Sequence, residues 1–177
     1  ICSKVHLNLK KKYKNLLTII IPRHIHRVNK IFQEINDLKL NVVLHSSGPK
    51  KLKNADIYLV DTYGETKKFY DCSDVVFMGK SLSGKGGQNP LEPARSGAAV
   101  LHGPNIDNFS DIYRLLEKLK ITYKVNGETS LRNLVNKLII KPNSKKNYLK
   151  IEKIGKKILD ETKDEINSLL NNEIKKT

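Results

Sequence analysis

The sequence has only two cysteines, Cys2 and Cys72, which lie far apart and show no paired C-x-x-C spacing. This spacing indicates neither a disulfide scaffold nor a zinc site, and a reducing, cytoplasmic setting is the default expectation. No apolar run approaches the length of about eighteen residues that a membrane span needs. The first residues also lack the pattern of a signal peptide. We therefore expect an ordinary globular α/β protein.

Acidic residues are scarce, with 18 Asp and Glu against 33 Lys and Arg, which gives a formal net charge of +15. Such a balance raises nucleic acid or an anionic membrane surface as partners. The excess is mostly scattered lysine, however, with runs only at Lys10–Lys12, Lys145–Lys146 and Lys175–Lys176. Aromatic residues make up only 6% of the chain, and single-stranded nucleic acid needs aromatic stacking platforms. We expect no nucleic-acid partner and leave an anionic membrane surface open.

The chain is 177 residues long, which suits one ordinary domain with a buried core. It begins with Ile1 rather than Met, and we expect it to be part of something longer. The sequence predicts a Rossmann-like domain over residues 1–143. A basic, amphipathic helical extension, as one long helix or two shorter ones, is predicted over residues 144–177.

Short apolar runs alternate with amphipathic stretches along most of the sequence. The first run, "NLLTIII", stops at Pro22 and is typical of a strand buried on both faces. Further strands are predicted at 41–47, 56–62, 74–79, 98–104 and 121–125, with helical stretches after most of them. This alternation predicts an α/β fold with a parallel, doubly wound sheet.

Ligands of such sheets bind outside the carboxyl ends of the strands, where loops run into helix starts. Three junctions have this position: Pro22–Arg23, Thr62–Glu65 and the glycine-rich loop at Gly86–Asn89. Glycines let the backbone approach a ligand closely, and free amides at the start of a helix favour an anion. The residues alone therefore predict a phosphate or nucleotide site.

Each of these residues also has a structural interpretation. Glu92 stands three residues after Asn89, the spacing of a capping box. Arg23 could pair with a surface carboxylate, and Glu65 lies in a first helical turn, where an acid is favoured without any ligand. Four histidines, His24, His26, His45 and His102, show no metal-ligand spacing, so we expect them in surface or loop positions and expect no metal site.

Four segments, "IIIPRH", "VDTYGETKKFYDCSDVVFMGKSL", "GGQNPLEPARSGAAVLHGP" and "NFSDIYRLL", resemble the C-terminal half of the bacterial Kdo (3-deoxy-D-manno-octulosonic acid) transferases. The resemblance covers roughly residues 15–140, in matching order. It implies the C-terminal half of a GT-B glycosyltransferase, with CMP-Kdo as the donor substrate, no cofactor and no metal on the nucleotide. It also implies transfer to the lipid A precursor in lipopolysaccharide biosynthesis, at the cytoplasmic face of the inner membrane.

The resemblance also implies which residues contact the donor, because the family's donor-contacting segments fall on the three junctions found above. With the two loop glycines, the implied donor-binding residues are Pro22, Arg23, Tyr63, Gly64, Glu65, Gly86, Gly87, Asn89, Pro90, Leu91 and Glu92. The family's general base is a Glu of the N-terminal domain, which also carries the acceptor surface. We therefore expect no catalytic residue in this chain, and no turnover by it alone.

The chain departs from the family pattern at Lys80, Gln88 and Tyr63, where Gly, His and Met are common. Fold alone does not fix function. A UDP-sugar transferase or epimerase domain of the same fold is the alternative, followed by a non-enzymatic basic module that binds nucleic acid.

Overall fold

The computed structural model describes residues 1–48, 52, 54–84, 86–140 and 146–174. Its strands are β1 (Thr18–Ile20), β2 (Val42–Leu44), β3 (Ile57–Leu59), β4 (Val75–Met78), β5 (Ala99–His102) and β6 (Thr122–Lys124). Its α-helices are α1 (Cys2–Lys10), α2 (Val28–Asn36), α3 (Thr66–Asp71), α4 (Leu91–Arg95), α5 (Ser110–Lys118), α6 (Glu128–Ile140) and α7 (Lys146–Ile174). Helices separate most successive strands, as the sequence predicts for an α/β fold.

All strand pairs are parallel, and within the described ranges they form two three-stranded sheets rather than one continuous ladder. The strand orders are β1-β3-β2 and β4-β5-β6. The strands of each sheet end level: Ile20 and Leu44 both lie opposite Leu59, and Met78 lies opposite His102. The loops that follow neighbouring strands therefore start side by side.

The central strands are the most buried. All of β5 and β3 is buried, whereas each residue of β1 is partly exposed. The sequence predicts β1 as buried on both faces, and this is wrong because β1 is an edge strand that pairs with β3 alone in its sheet. The apolar run marks a strand but does not say where in the sheet it lies.

Helix α1 is not predicted by the sequence, because lysines surround its short apolar pattern. Its buried face consists of Val5, His6 and Leu9, and Val5 and Leu9 pack in one core cluster with Leu131 and Leu138 of α6. The ring of His6 also ties α1 to β1, since its Nδ1 lies 2.9 Å from the hydroxyl oxygen of Thr18.

The C-terminal extension is one continuous helix, α7, which is the first of the two predicted alternatives. It packs against α4, and Ile151 joins the core cluster that contains Met78 and Leu116. The predicted boundary between residues 143 and 144 falls outside the described residues. None of the described helices is both long and apolar enough to cross a membrane.

Candidate functional site

The first two predicted junctions lie next to each other. Pro22 and Arg23 follow β1, residues 62–65 follow β3, and the backbone N–H of Val60 donates to the carbonyl of Ile20 at 2.9 Å. Arg23 is exposed and forms no ion pair with any described residue. The structural interpretation of Arg23, pairing with a surface carboxylate, is therefore not seen, and the guanidinium is available to an anion.

The carboxylate of Glu65 is engaged by its own chain. One oxygen contacts Nε2 of His45 and accepts a hydrogen bond from the Thr62 hydroxyl at 3.3 Å, and the other lies 2.8 Å from Nζ of Lys68. The hydrogen bond from Lys68 lowers the pKa of Glu65, partial burial opposes this shift, and His45 adds to it. Glu65 directly precedes α3. With these partners it holds the turn between β3 and α3.

His45 and Asp61 complete a network that sequence reasoning missed. Nδ1 of His45, just after β2, lies 2.7 Å from the Tyr58 hydroxyl in β3. Asp61 accepts a hydrogen bond from the backbone N–H of Ser46 at 2.8 Å and another from the Ser46 hydroxyl. Burial alone would raise the pKa of Asp61, but these two bonds bring it below its usual value. The signal available in the sequence was polar residues directly after two apolar runs, at 45–46 and 61–62.

Tyr63 and Gly64 form the exposed part of this turn. Tyr63 is 74% exposed, and its ring contacts no other ring in the described part of the chain. Gly64 has φ +87°, a left-handed conformation that other residues rarely adopt. The turn therefore presents an aromatic side chain at the carboxyl edge of the sheet.

The glycines of the third junction serve internal packing. Gly86 has φ +69°, and a Cβ there would lie 2.6 Å from Nδ2 of Asn108. A Cβ on Gly87 would lie 3.1 Å from Cα of Ile106. The sequence interpretation assigns these glycines to a close ligand. In the structure, the segment after β5 fills the space that a side chain would take at these two glycines.

The start of α4 follows the predicted pattern with a shift of one residue. The backbone N–H of Leu91 donates to Oδ1 of Asn89 at 3.0 Å, so Asn89 supplies the cap, while Pro90 directly precedes the helix. Helix α4 has only five residues, so its dipole is weaker than a longer helix would give. Glu92 is exposed, and its carboxylate hydrogen-bonds to no described residue. The alternative capping box is therefore not formed.

Contacts between α3 and α4 link the two helices that follow the second and third junctions. The hydroxyl of Ser96, just after α4, donates to Oδ1 of Asp71 in α3 at 2.7 Å. Burial raises the pKa of Tyr70 in α3, and the nearby charge of Glu92 raises it further. The elements that carry the three predicted junctions are thus in contact: β1 pairs with β3, and α3 packs against α4.

The histidines take more varied positions than the sequence predicts. His24 and His26 are exposed and His45 is half-buried, whereas His102 is 3% exposed within β5. The surface or loop expectation is wrong for His102, because β5 is the central strand of its sheet. Among the described residues, no group of three or more His, Cys, Asp or Glu side chains could hold a metal ion.

Comparison with known proteins relates the chain to one class of enzyme. No protein-family model matches it. It is 32% identical over 171 residues to a 3-deoxy-D-manno-octulosonic acid transferase of Haemophilus influenzae. This alignment covers 96% of this chain and 39% of the relative. The corresponding protein of Aquifex aeolicus is 28% identical, over 89% of this chain and 42% of the relative. A bifunctional glycosyltransferase/methyltransferase of Fusobacterium nucleatum is 33% identical over 71% of this chain and 20% of the relative.

Comparison with solved structures finds a domain of the same fold. It is the C-terminal CMP-Kdo binding domain of WaaA from Acinetobacter baumannii, with a TM-score of 0.75 and 24% identity, covering 82% of this chain and 76% of that one. The chain spans about two fifths of the length of the first curated relative that it matches. The chain is therefore a homologue of the 3-deoxy-D-manno-octulosonic acid transferases, and it shares its α/β fold with the C-terminal domain of WaaA.

Proposed function

We propose that this chain binds CMP-Kdo, as the donor-binding part of a glycosyltransferase that adds Kdo to the lipid A precursor in lipopolysaccharide biosynthesis. The observation that carries the proposal is the 32% identity to a Kdo transferase over 96% of the chain. The fold, shared with a domain described as CMP-Kdo binding, supports the same donor.

Two exposed charges at the junctions suit a nucleotide. Arg23 has no acidic partner among the described residues, and a guanidinium binds phosphate through short charge-assisted hydrogen bonds. Glu92 is an acceptor without a described hydrogen-bond donor, which suits the ribose hydroxyls. Tyr63, Gly64 and Asn89–Leu91 border these charges in the sequence. Glu65 holds the turn that carries Tyr63 and Gly64, and it belongs to the same proposed donor-binding junction.

The reaction proposed is an inverting displacement. A hydroxyl oxygen of the acceptor forms a bond to the anomeric carbon of Kdo, the bond from that carbon to the phosphate oxygen breaks, and CMP leaves with the bonding electrons. The acceptor proton passes to a general base outside this chain, in the N-terminal domain. Arg23 stabilises the negative charge that develops on the departing phosphate.

The setting proposed is the cytoplasmic face of the bacterial inner membrane. The acceptor carries lipid, and the net charge of +15 supports a position near an anionic membrane surface. The acceptor and the opposing domain are both supplied from outside the 177 residues.

Calorimetric titration with CMP tests the two charged residues. Arg23→Ala and Glu92→Gln each remove one charge-assisted contact, so each should weaken CMP binding by about 1–3 kcal/mol. The matched controls are Arg114→Ala and Glu34→Gln, which change exposed residues on α5 and α2, and both should bind CMP like the unmodified chain. Unchanged affinity in both test variants would contradict the proposed site.

The same Glu92→Gln variant separates binding from capping. A capping role predicts a lower melting temperature with CMP affinity nearly unchanged. A binding role predicts weaker CMP affinity with a nearly unchanged melting temperature. The missing capping-box hydrogen bond supports the binding role.

A donor based on UDP is the second candidate, because domains of one fold can bind different sugar nucleotides. Thermal protection by CMP and UDP at equal concentration compares the two directly. Stronger protection by UDP would favour this second candidate.

A further inference from the structure

Tyr113 of α5 supports the loop that leads to the start of α4. It is 1% exposed, and its hydroxyl donates to the carbonyl of Gln88 at 3.0 Å. Gln88 directly precedes Asn89, whose side chain caps α4. The ring of Tyr113 is fixed against His102, with the ring centroids 4.4 Å apart.

The hydroxyl of Tyr113 is a permanent donor in this position. Burial raises its pKa well above the usual range, and the neighbouring Tyr70 adds to the shift, so the group stays protonated at any pH at which proteins are normally studied. A backbone carbonyl can only accept, so the proton of the bond belongs to Tyr113.

Several contacts connect this loop to the residues after β5, and the hydrogen bond of Tyr113 is the one nearest to α4 along the loop. The backbone N–H of Asn105 donates to the carbonyl of Ser81 at 2.9 Å, and Asn108 fills the space at Gly86. These contacts hold the earlier part of the loop. Among the described hydrogen bonds, only that of Tyr113 fixes Gln88, the residue that directly precedes the cap residue Asn89.

We propose that Tyr113 is a positioning residue for the nucleotide: through the carbonyl of Gln88 it fixes the Asn89–Glu92 segment in the conformation that binds the donor. This inference rests on the function proposed above. A loop that is already ordered loses less conformational freedom on binding, so the affinity is higher. Tyr113 itself need not touch the ligand.

Tyr113→Phe removes the hydroxyl and keeps the ring packed on His102. We expect the affinity for CMP to fall about three- to tenfold, the range of one net hydrogen bond. We also expect faster amide hydrogen exchange at Gln88, Asn89 and Leu91, because the loop loses its anchor. Both measurements are made on the full 177-residue chain, under conditions where it is folded.

Tyr13→Phe is the matched control. The hydroxyl of Tyr13 donates to Oδ1 of Asn136 in α6 at 2.8 Å, so its loss removes a comparable bond away from the three junctions. This variant should melt at a lower temperature while its CMP affinity, and the exchange at Gln88–Leu91, stay unchanged.

Three results would overturn the inference: wild-type CMP affinity in Tyr113→Phe, unchanged exchange at Gln88–Leu91, or an equal loss of affinity in both variants, which would indicate general destabilisation. If the unmodified chain binds no CMP, the proposed function fails. The exchange measurement then decides by itself whether Tyr113 orders the segment.

Discussion

Ser81 shows how much one buried side chain can hold together. It is fully buried, its hydroxyl donates to the carbonyl of Met78 at 2.6 Å, and the same oxygen accepts the backbone N–H of Gly103 at 2.7 Å. Ser81 therefore joins the end of β4 to the end of β5, at the base of the third junction.

Ser81→Ala should destabilise the fold by about 1–3 kcal/mol, because a buried backbone N–H loses its acceptor. Chemical denaturation measures the change. The exposed Ser83→Ala is the control and should leave the free energy of unfolding nearly unchanged. Equal stability of the two variants would contradict the role given to the Ser81 hydroxyl.

His102 should make the fold sensitive to mild acid. Burial lowers its pKa below the ordinary value of 6.5, so below that pH the unfolded chain takes up a proton that the folded chain does not. The free energy of unfolding should therefore fall as the pH decreases from about 7 to about 5.

The variant His102→Gln should show a shallower decrease over the same pH range, measured by urea denaturation. Some slope should persist, because burial also lowers the pKa of His6. Parallel pH profiles for the variant and the unmodified chain would show that His102 does not cause the effect.

At the scale of elements, the loop after β4 and the end of β5 approach so closely that only glycine fits between them. A Cβ on Gly103 would lie 2.3 Å from the backbone carbonyl oxygen of Ser81, and a backbone atom cannot move aside as a flexible side chain can. The contact fixes where the third junction begins.

Gly103→Ala should therefore destabilise the protein by about 1–3 kcal/mol, the usual range when a side chain is forced into a tightly packed site. Gly127→Ala is the control, because a Cβ there meets no atom within 4 Å. Thermal unfolding followed by circular dichroism measures both. A similar melting temperature for the two variants would contradict the close approach.

The sequence predicts these elements well where local chemistry decides them. Six apolar runs become the six strands described, and the Asn-Pro pair at 89–90 marks the start of α4 to within one residue. Helix α1 is not predicted because lysines surround its short apolar pattern, and its buried face packs against α6, more than a hundred residues away. The division into two sheets depends on hydrogen bonds between distant strands, which no local pattern encodes.

The site shows the same division between local and long-range information. All three junctions are predictable because each follows the carboxyl end of a parallel strand and leads to a helix, although β1 and β3 lie in one sheet and β4 in the other. The sequence does not predict the contact of Glu65 with His45 or the packing of Gly86 against Asn108, because the two residues of each pair lie about twenty positions apart. The donor-binding role of Glu65 and Gly86 stays a prediction, and the structure adds the internal contacts of both residues.

At the scale of the whole molecule, α7 divides into a packed part and an exposed part. Ile151 packs on the core cluster of α4, β4 and α5, whereas Ile158 and Ile166 are 55% and 51% exposed. Only the first part of α7 should therefore contribute to the stability of the chain.

Two isoleucine substitutions test this division. Ile151→Ala should destabilise the chain by about 1–2 kcal/mol, less than at a fully buried site, and Ile158→Ala should change stability very little. Denaturant titration of both variants gives the comparison. A larger loss at Ile158 than at Ile151 would show that the exposed part of α7 is packed against something in solution.

The central claim is that the three junctions together form the CMP site, and a two-dimensional amide NMR titration of the chain with CMP tests it most directly. We predict saturable shifts at Arg23, Tyr63–Glu65, Asn89, Leu91 and Glu92, with residues at the opposite edge of the β1-β3-β2 sheet, such as Asn41 and Asp56, unaffected. Shifts confined to other surfaces, or no shifts at millimolar CMP in a folded sample, would contradict the claim.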